Sequence, residues 1–403
     1  MPAEIPCLVG RLWQHRCEHR SWCRPARFLA RGGAHRDRAG RLFLERVPWA
    51  PPFPRLVDSP RVTVVIVTWN GRELLERFLP SVLATDYPDL EVVVADNAST
   101  DGTVEWLAAH HPGVVVARHE ENLLFAEGNN RAVPQATGDV LVFLNNDVEV
   151  PPDWLRPLVA ALAERPDVAA VQPKLLQLDR QSFEYAGAAG GFLDRYGFPF
   201  TRGRLFEHLE ADRGQYDAPR DVTWATGAAL AVRRDAFEAA GGFDPTFEMH
   251  MEEIDLCWRL WRSGWRVRCE PTSEAYHLGG ASLPRGSARK TYYNYRNGLV
   301  MLAKNLPQVE ARRVLRARRA FDTVAAARLV TQGRAEEARA IRRGWRDARE
   351  RIAAVTPPPP GEPQPPLYTR SIVIDHFARG RDTFASLPAE AFTPPGSATA
   401  RPR

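Results

Sequence analysis

Hydrophobic and polar positions along the chain form blocks that predict strands alternating with helices. Residues 62–67 (VTVVIV) are a continuous apolar run of strand-forming residues, and residues 72–86 place Leu and Phe side chains on one helical face. The same alternation continues through strands and helices at 90–96, 101–111, 114–118, 126–135 and 140–144. Strands separated by helices in this way predict a parallel, doubly wound sheet in an α/β fold.

Beyond Pro151 the pattern becomes mixed. A stretch rich in Gly, Phe and Tyr from 182 to 220 shows no regular period and predicts loops. The remaining apolar periods predict a helix at 153–164, a strand at 168–172, a strand entering a helix at 222–237, a helix at 252–264 and a strand at 265–270.

Composition changes along the chain set the predicted domain boundaries. Residues 1–58 are rich in Arg, Pro and Gly and predict a partly disordered extension, whereas residues 59–305 hold the α/β domain. Residues 306–355 predict a helical, Arg- and Ala-rich extension. The remaining residues, 356–403, predict a Pro-rich linker and tail, of which TPPPPGEPQPP (356–366) is expected to join no core.

Positive charge is concentrated at the ends of the chain. The protein has 54 Lys and Arg residues against 49 Asp and Glu, and this net charge of +5 is too small to indicate a dedicated nucleic-acid binder. Residues 311–351 alone carry 13 Arg against five acids. This segment is either a solvated helical surface or a peripheral contact with an anionic membrane. Nucleic acid is not an expected partner, because aromatic residues are sparse among these arginines.

Targeting and cysteine signals are weak. No apolar run approaches the roughly 18 residues that span a bilayer, and the N-terminus lacks the apolar core of a signal peptide. We therefore expect a cytoplasmic protein, with any membrane contact on the inner face. Its five cysteines make no disulfide framework, and Cys7, Cys17 and Cys23, which interleave with His15 and His19, match no paired zinc-binding spacing.

Polar side chains follow three of the predicted strands at the point where each strand ends. In open α/β sheets ligands bind beyond the carboxyl ends of the strands, so these residues predict the binding crevice. The first turn is not GxGxxG and the chain contains no GxxxxGK[ST], which argues against dinucleotide dehydrogenases and P-loop NTPases. The polar residues are Thr68, Asn70, Asp96, Asn97, Asn145, Asn146 and Asp147.

Two of these strand ends have a functional and a structural interpretation. Asn145 and Asp147 offer oxygen atoms suited to Mg²⁺ or Mn²⁺, or they form an Asx-turn. Asp96 can accept hydrogen bonds from a nucleobase or ribose, while Ser99 and Asp101 cap the next helix.

Acidic residues open the helix predicted at 252–264. Glu252, Glu253 and Asp255 are favoured there by the helix dipole, which is a sufficient structural explanation. If one of them faces a cleft, burial and like-charge repulsion would raise its pKa and suit it to accept a proton from a substrate hydroxyl. His277 is either a structural histidine or a metal ligand.

Taken together, the blocks resemble glycosyltransferase family 2, whose members share the GT-A fold. The likeness covers Val62 to Asn305 and runs in the family's order through VIVTWNGRELLERFLPSVL, VVVADNASTDGT, NLLFAEGNNRAV, GDVLVFLNNDV, TGAALAVRRDAFEAAGGFDPTF, MEEIDLCWRL and HLGGAS. TWNG, FAEGNN and EEIDLCWRL are most similar to the rhamnosyltransferase-like subgroup. The resemblance implies a mostly parallel, Rossmann-like sheet flanked by helices.

The resemblance also implies a nucleotide-diphosphate sugar donor and a divalent metal, Mg²⁺ or Mn²⁺. Asp147 matches the retained carboxylate of the family's DxD motif. Asn145 occupies the position of the motif's first acid, and His277 resembles a third metal ligand. The remaining implied nucleotide-sugar-binding positions surround the base and the diphosphate: Thr68, Asn70, Asp96, Asn97, Asn129, Arg131, Asn145 and Asn146.

Glu253 matches the family's catalytic base, and Glu252 and Asp255 would orient it or meet acceptor hydroxyls. The hypothesis is an inverting transfer from a dTDP- or UDP-sugar, such as a rhamnose donor, to a saccharide or lipid-linked saccharide in cell-surface polysaccharide synthesis. It requires the acids at 96, 147 and 253 to converge on one crevice.

Two alternatives belong to other classes. A sugar nucleotidyltransferase needs a Gly-rich loop bearing Arg and Lys after its first strand, which TWNGRELL does not supply. A non-catalytic glycan- or nucleotide-binding relative would keep the core and lose the acids, and this chain retains Asp147 and Glu253.

Overall fold

The computed structural model describes residues 34–36, 42–44, 56, 59–279 and 286–397. The chain divides into two compact units, Met1–Ala50 and Pro51–Arg403. In the first unit, strands β1 (Ala34–Arg36) and β2 (Leu42–Leu44) pair antiparallel. The cysteines and histidines considered above for zinc lie outside the described residues.

Fourteen further strands lie in the described part of the second unit. They are β3 (Val62–Thr68), β4 (Leu90–Asp96), β5 (Val115–Arg118), β6 (Val140–Asn145), β7 (Val148–Glu149), β8 (Val168–Gln177), β9 (Gly191–Asp194), β10 (Pro199–Thr201), β11 (Arg204–Leu205), β12 (His208–Leu209), β13 (Arg220–Asp221), β14 (Ala229–Arg233), β15 (Arg266–His277) and β16 (Leu367–Tyr368).

Ten α-helices accompany these strands in the described residues. They are α1 (Arg72–Leu83), α2 (Thr103–His110), α3 (Leu124–Ala132), α4 (Leu155–Glu164), α5 (Arg234–Ala239), α6 (Glu252–Arg262), α7 (Ala288–Asn305), α8 (Gln308–Thr331), α9 (Ala335–Ala354) and α10 (Ile372–Phe377). The alternation predicted through residue 144 is confirmed. In α1, Leu75, Phe78, Leu79 and Val82 form the buried face that the spacing predicts.

The central sheet has the strand order β13-β15-β8-β14-β6-β3-β4-β5, with β7 paired to the end of β15. Strands β5, β4, β3 and β6 are parallel, so their carboxyl ends lie at one edge. The other half is mixed, because β14 runs antiparallel to both β6 and β8. The prediction of a parallel sheet is therefore confirmed for one half. The direction of β14 could not be predicted, because a buried strand shows the same apolar run in either direction.

A second, five-stranded sheet has the order β12-β11-β10-β9-β16. Four of its strands come from residues 182–220, where the sequence predicted loops, and the fifth comes from the C-terminal segment. Strand β16 pairs in parallel with β9 and buries Leu367 and Tyr368 completely or nearly so. Nearby, the backbone N–H of Ile372 donates to Asp194 at 3.0 Å.

The prediction of a linker and tail is thus wrong for residues 356–397. The prolines at its start dominate the composition, but the aromatic and aliphatic residues that follow them supply enough apolar surface to join the core. Polar contacts also anchor this segment, since Trp258 donates from its indole nitrogen to Gln364 at 3.1 Å.

Helices α7, α8 and α9 pack as a layer on the α/β domain. The extension predicted at 306–355 is helical as expected and consists of two helices, α8 and α9. Gly344 permits α9 to approach α7 closely, because a Cβ atom there would lie 3.1 Å from the backbone nitrogen of Arg296. No helix in the described ranges combines the length and apolar character needed to cross a bilayer.

Candidate active site

The turn after β6 brings Asp147 to His277. Strand β7 follows this turn at once and pairs antiparallel with the end of β15, with Val148 opposite His277. The backbone N–H of Leu278 donates to the carbonyl of Asp147 at 3.0 Å. As a result, Nε2 of His277 lies 3.0 Å from Oδ1 of Asp147, and both side chains are buried.

Glu184 lies on the other side of the His277 ring. Its Oε1 atom is 3.5 Å from Nδ1 of His277, which is an ion-pair distance. Burial alone would lower the pKa of His277, but Asp147 and Glu184 outweigh it and raise that pKa to about 10. The histidine is therefore protonated between the two carboxylates, and a metal that bound to Nε2 would displace that proton. Sequence reasoning missed Glu184, which lies in the segment without a recognisable motif.

The residues around Asp147 fit a divalent cation. A carboxylate oxygen and an imidazole nitrogen 3.0 Å apart can share one ion, and a carboxylate behind the second ring nitrogen is the usual support of a metal-binding histidine. In the described part of the chain, no three His, Cys, Asp or Glu side chains are placed to hold a metal by themselves. The other ligands would therefore come from a substrate, as is usual for Mg²⁺ beside phosphates.

Hydrogen bonds connect the ends of β3, β4 and β6. Asn146 donates from Nδ2 to the hydroxyl of Thr68 at 2.9 Å. Gly71 is required beside this contact, because a Cβ atom there would lie 2.1 Å from the Thr68 hydroxyl oxygen and 2.6 Å from Asn146 Nδ2. Asn70 joins the next turn, since its side-chain oxygen accepts from the backbone N–H of Thr100 at 2.7 Å.

Asp96 and Asn97 present buried oxygen atoms to this edge of the sheet. Oδ2 of Asp96 accepts from the backbone N–H of Ser99 at 3.1 Å, whereas Oδ1 of Asp96 and Oδ1 of Asn97 have no hydrogen-bond partner among the described residues. A buried acceptor without a partner is costly unless a ligand supplies the donor. The capping interpretation holds for Asp101, which accepts from the backbone N–H of Thr103 at 3.1 Å, but not for Ser99, whose hydroxyl accepts from the backbone N–H of Asn70 at 2.8 Å.

The side chains of Asn129 and Arg131 make contacts within α3. Asn129 donates to the backbone oxygen of Phe125 at 2.9 Å, and the exposed Arg131 pairs with Glu127 at 2.7 Å. The structure shows no contact from either side chain to Asp147, so their place beside a diphosphate stays a prediction.

Helix α6 places two carboxylates at its first turn. Burial raises the pKa of Glu253 to about 7. Burial, followed by the charges of Glu253 and Asp255, raises the pKa of Glu252 well above its ordinary value. The Oε2 atoms of both glutamates are buried without a hydrogen-bond partner in the described residues. They can accept a proton or a hydrogen bond from a bound molecule.

The structure corrects the prediction that Asp255 meets acceptor hydroxyls. It is fully buried, and its carboxylate contacts Arg259 at 2.7 Å, Lys304 at 2.8 Å and Asn305 at 2.7 Å. This carboxylate therefore fixes α6 against α7 and is not available to acceptor hydroxyls.

Asp147, His277 and the two glutamates face one cleft, referred to below as the catalytic cleft. Its wall includes Asn145, Asn146, Asp147, Glu252, Glu253 and His277. The structure thus brings together Asp147 and Glu253, which are far apart in the chain. Asp96 lies at the neighbouring strand end, opposite Thr68 in the β3–β4 register, and Thr68 is bonded to Asn146.

His250 also faces the catalytic cleft, and no sequence signal indicated it. Burial, together with the charge of Lys290, lowers the pKa of His250 to about 3, so the ring is neutral. Its Nε2 atom is buried and has no hydrogen-bond partner in the described part of the chain. A neutral imidazole in this position can bind a substrate hydroxyl.

Comparison with known proteins decides the family. The model of glycosyl transferase family 2 matches residues 63–240. The N-acetylglucosaminyl-diphospho-decaprenol L-rhamnosyltransferase of Mycobacterium tuberculosis is 31% identical over 264 residues, which are 60% of this chain and 83% of the relative. The chain belongs to glycosyltransferase family 2. The α/β fold with its helical C-terminal region is the GT-A fold expected of this glycosyltransferase.

Other known proteins are similar to parts of this chain. The O-antigen biosynthesis protein RfbC of Myxococcus xanthus is 33% identical over 251 residues, which are 59% of this chain but 19% of RfbC. Among solved structures, GalNAc-T7 with UDP, GalNAc and Mn²⁺ has 21% identity and a TM-score of 0.48, over 61% of this chain and 48% of that chain. The mannosyltransferase PcManGT from Pyrobaculum calidifontis, with GDP-Man and Mn²⁺, has 22% identity and a TM-score of 0.44, over 75% and 90%.

Proposed function

We propose that this glycosyltransferase moves a sugar, with inversion and with the help of a divalent metal, from a dTDP- or UDP-sugar to a saccharide or lipid-linked saccharide. The observation that carries the proposal is the catalytic cleft itself. It holds a carboxylate with a pKa near 7, Glu253, together with the metal-binding pair Asp147 and His277.

Glu253 is the proposed base. It accepts the proton of the acceptor hydroxyl while that oxygen bonds to the anomeric carbon, and the bond from this carbon to the diphosphate oxygen breaks with its electron pair. Attack from the face opposite the leaving group inverts the anomeric carbon. A base with a pKa near the working pH contributes typically about 10² to 10⁴ in rate. Glu252 and His250 are the neighbouring groups that meet hydroxyls of the acceptor or the sugar.

The nucleotide is proposed to bind along the ends of β3 and β4. Oδ1 of Asp96 is a buried acceptor without a partner among the described residues, and the imide N–H that uracil and thymine share is a matching donor. Thr68, Asn70 and Asn97 lie beside it at the same edge of the sheet. This feature supports a nucleobase with an N–H donor, a group that uracil and thymine both have.

Mg²⁺ or Mn²⁺ bound at Asp147 and His277, beside the amides of Asn145 and Asn146, would neutralise charge on the leaving diphosphate. The polypeptide's part is to hold these ligands in place. Glu184 orients the His277 ring, and the β7–β15 pairing fixes Asp147 beside it.

The rhamnose donor and the lipid-linked acceptor are proposed from the likeness to the mycobacterial relative, whose name specifies both for that protein. The same likeness, with that to RfbC, supports a role in cell-surface polysaccharide synthesis.

A peripheral contact with an anionic inner membrane face is also proposed. Helices α8 and α9 form a groove lined by four exposed arginines: Arg319, Arg342, Arg346 and Arg349. Arginines near an anionic surface contribute about 1 kcal/mol each. Liposome sedimentation tests the contact, because binding should require anionic lipid and decrease when these arginines are replaced by Gln. Equal recovery with neutral and anionic liposomes would refute it.

Transfer assays with a panel of nucleotide sugars and lipid-linked saccharides test the main proposal. A glycosyltransferase should release nucleoside diphosphate from one donor class in a metal-dependent reaction. A sugar nucleotidyltransferase would instead form nucleotide sugar from a sugar phosphate and a nucleoside triphosphate. A non-catalytic relative would bind a ligand and release nothing.

A further inference from the structure

A strained loop immediately precedes the catalytic glutamates. Three of the four residues in the 248–251 loop have positive φ angles although none is glycine: Glu248 at 67°, His250 at 67° and Met251 at 74°. At Glu248 φ is 67° and ψ is −67°, a tight γ-turn in which the backbone N–H of Met249 donates to the carbonyl of Phe247 at 2.8 Å. Such conformations persist only where the surroundings hold them.

Asn297 of α7 bonds the backbone of this loop. Its Nδ2 atom lies 2.8 Å from the carbonyl oxygen of Phe247, 2.9 Å from that of Met249 and 2.8 Å from that of His250. The Oδ1 atom of the same side chain accepts from Nε of Arg296 at 2.8 Å. One amide thus holds both sides of the γ-turn, and Asn297 is only 1% exposed.

Arginines of α7 and α9 hold the same loop through Glu248. Nη1 of Arg296 donates to Oε1 of Glu248 at 2.8 Å, and Nη2 donates to the carbonyl of Phe247 at 2.9 Å. Arg351 donates to Glu248 at 3.2 Å, and the hydroxyl of Tyr293 donates to it at 2.8 Å. These three side chains and Asn297 all come from the helical layer that packs on the α/β domain.

The loop is directly continuous with the first turn of α6. The carbonyl of Met251 accepts from the backbone N–H of Asp255 at 2.9 Å, so the left-handed residue Met251 begins the helix that carries Glu252 and Glu253. Relaxation of His250 or Met251 to an ordinary φ would reorient the first turn of α6. The side chains of Glu252 and Glu253 would then move out of the catalytic cleft.

We propose that Asn297 is a positioning residue and that α7 and α9 act as a clamp on the 248–251 loop, which sets the place of Glu253 in the catalytic cleft. The inference rests on the proposed role of Glu253 as base. It assigns the helical layer a function in catalysis that is separate from its contribution to the hydrophobic core.

The test uses a matched pair of near-isosteric variants. Asn297→Asp keeps the acceptor for Arg296 and removes the donors to the three carbonyls. Asp322→Asn is the control, because Asp322 is equally buried in the same helical layer and contacts Trp345 at 2.9 Å and Arg318 at 3.4 Å, not the loop. For each variant of the full-length protein we would measure the melting temperature, amide hydrogen exchange over residues 246–256, and donor KM and kcat.

Asn297→Asp should raise hydrogen exchange over residues 246–256 at least tenfold and lower kcat at least 30-fold, with donor KM within threefold of wild type. Asp322→Asn should leave exchange in this segment and kcat within threefold of wild type, whatever its melting temperature. Equal exchange and equal kcat in the two variants would overturn the proposal.

Glu248→Gln provides a second route if Asn297→Asp fails to fold. Glu248 is partly exposed, so this change is expected to be tolerated, and it weakens the contacts with Arg296 and Arg351. It should raise exchange in the same segment, and unchanged exchange would contradict the clamp. Failure of the proposed function can be distinguished from failure of the clamp. If Glu253 is not the base, the Glu253→Gln variant keeps wild-type turnover, and hydrogen exchange over residues 246–256 still tests the clamp.

Discussion

Nε2 of His277 lies 3.0 Å from Oδ1 of Asp147, although 130 residues separate them in the chain. The contact exists because the two-residue strand β7 pairs with the last residues of β15 directly after the turn that carries Asp147. Glu184 completes a row of carboxylate, imidazole and carboxylate. This arrangement is the physical basis on which a metal site is proposed in the catalytic cleft.

Replacing Asp147 with Asn should weaken metal binding. The substitution keeps the size of the side chain and removes the charge that attracts a hard cation, so Mn²⁺ affinity should fall by at least about 10–100-fold. Binding of Mn²⁺ is measured by calorimetry or electron paramagnetic resonance in the presence of a nucleoside diphosphate. Asp153→Asn, which changes an exposed carboxylate, serves as the control and should bind Mn²⁺ as wild type does. Unchanged affinity in Asp147→Asn would contradict the site.

Replacing Glu253 with Gln should stabilise the protein at alkaline pH. Because burial raises the pKa of Glu253 to about 7, above the unfolded value near 4.5, its contribution to stability is fully present below about pH 4.5 and is lost as pH rises through 7. The glutamine variant lacks this loss and should be more stable than wild type by about 1–3 kcal/mol at pH 8. Urea unfolding at pH 4.5 and 8 measures the difference. A gain of equal size at both pH values would contradict the raised pKa.

Truncating Tyr368 should unfold part of the second sheet. Tyr368 is fully buried, its hydroxyl contacts Asp375, and its ring packs against Phe200 and Phe392. Tyr368→Ala should cost about 3–5 kcal/mol, the usual range for large aromatic side chains in a core. Phe377→Ala, at a side chain that is 52% exposed, is the control and should cost much less. A C-terminal segment that behaves as a linker would give two small and equal effects in denaturant unfolding.

Adding a methyl group at Gly71 should disturb the sheet edge at which the nucleotide is proposed to bind. The new Cβ atom would lie 2.1 Å from the hydroxyl oxygen of Thr68 and 2.6 Å from Asn146 Nδ2, so one of these side chains must move and their hydrogen bond is lost. Gly71→Ala should lower nucleoside diphosphate affinity up to about tenfold. Gly113→Ala adds the same methyl group where no atom lies within 4 Å and should leave affinity unchanged. Equal affinities by calorimetry would refute a role for this contact.

The sequence predicted most of the parallel half of the central sheet, β3 to β6, because its apolar runs end in polar residues at the same sheet edge. It could not predict the direction of β14, because the pattern of an apolar strand does not show which way the strand runs. The packing of Leu367 and Tyr368 was missed because the prolines before them dominated the composition of the tail.

The candidate site was partly predictable for similar reasons. Glu253 and Asp255 both matched an acidic helix start, yet residues two positions apart lie on nearly opposite sides of a helix, at about 200°. Only one of them could face the catalytic cleft, and the structure shows that it is Glu253. Glu184, His250 and Asn297 could not be found at all, because their significance comes from contacts made by distant segments of the chain.

The pH dependence of kcat/KM for sugar transfer, measured for wild type and Glu253→Gln, tests the central claim most directly. Wild-type activity should rise through a pKa near 7 as Glu253 loses its proton, and Glu253→Gln should be slower by about 10² to 10⁴ and lack this limb while still binding the donor. A Glu253→Gln enzyme with wild-type turnover and the same rise near pH 7 would contradict the assignment of Glu253 as the base.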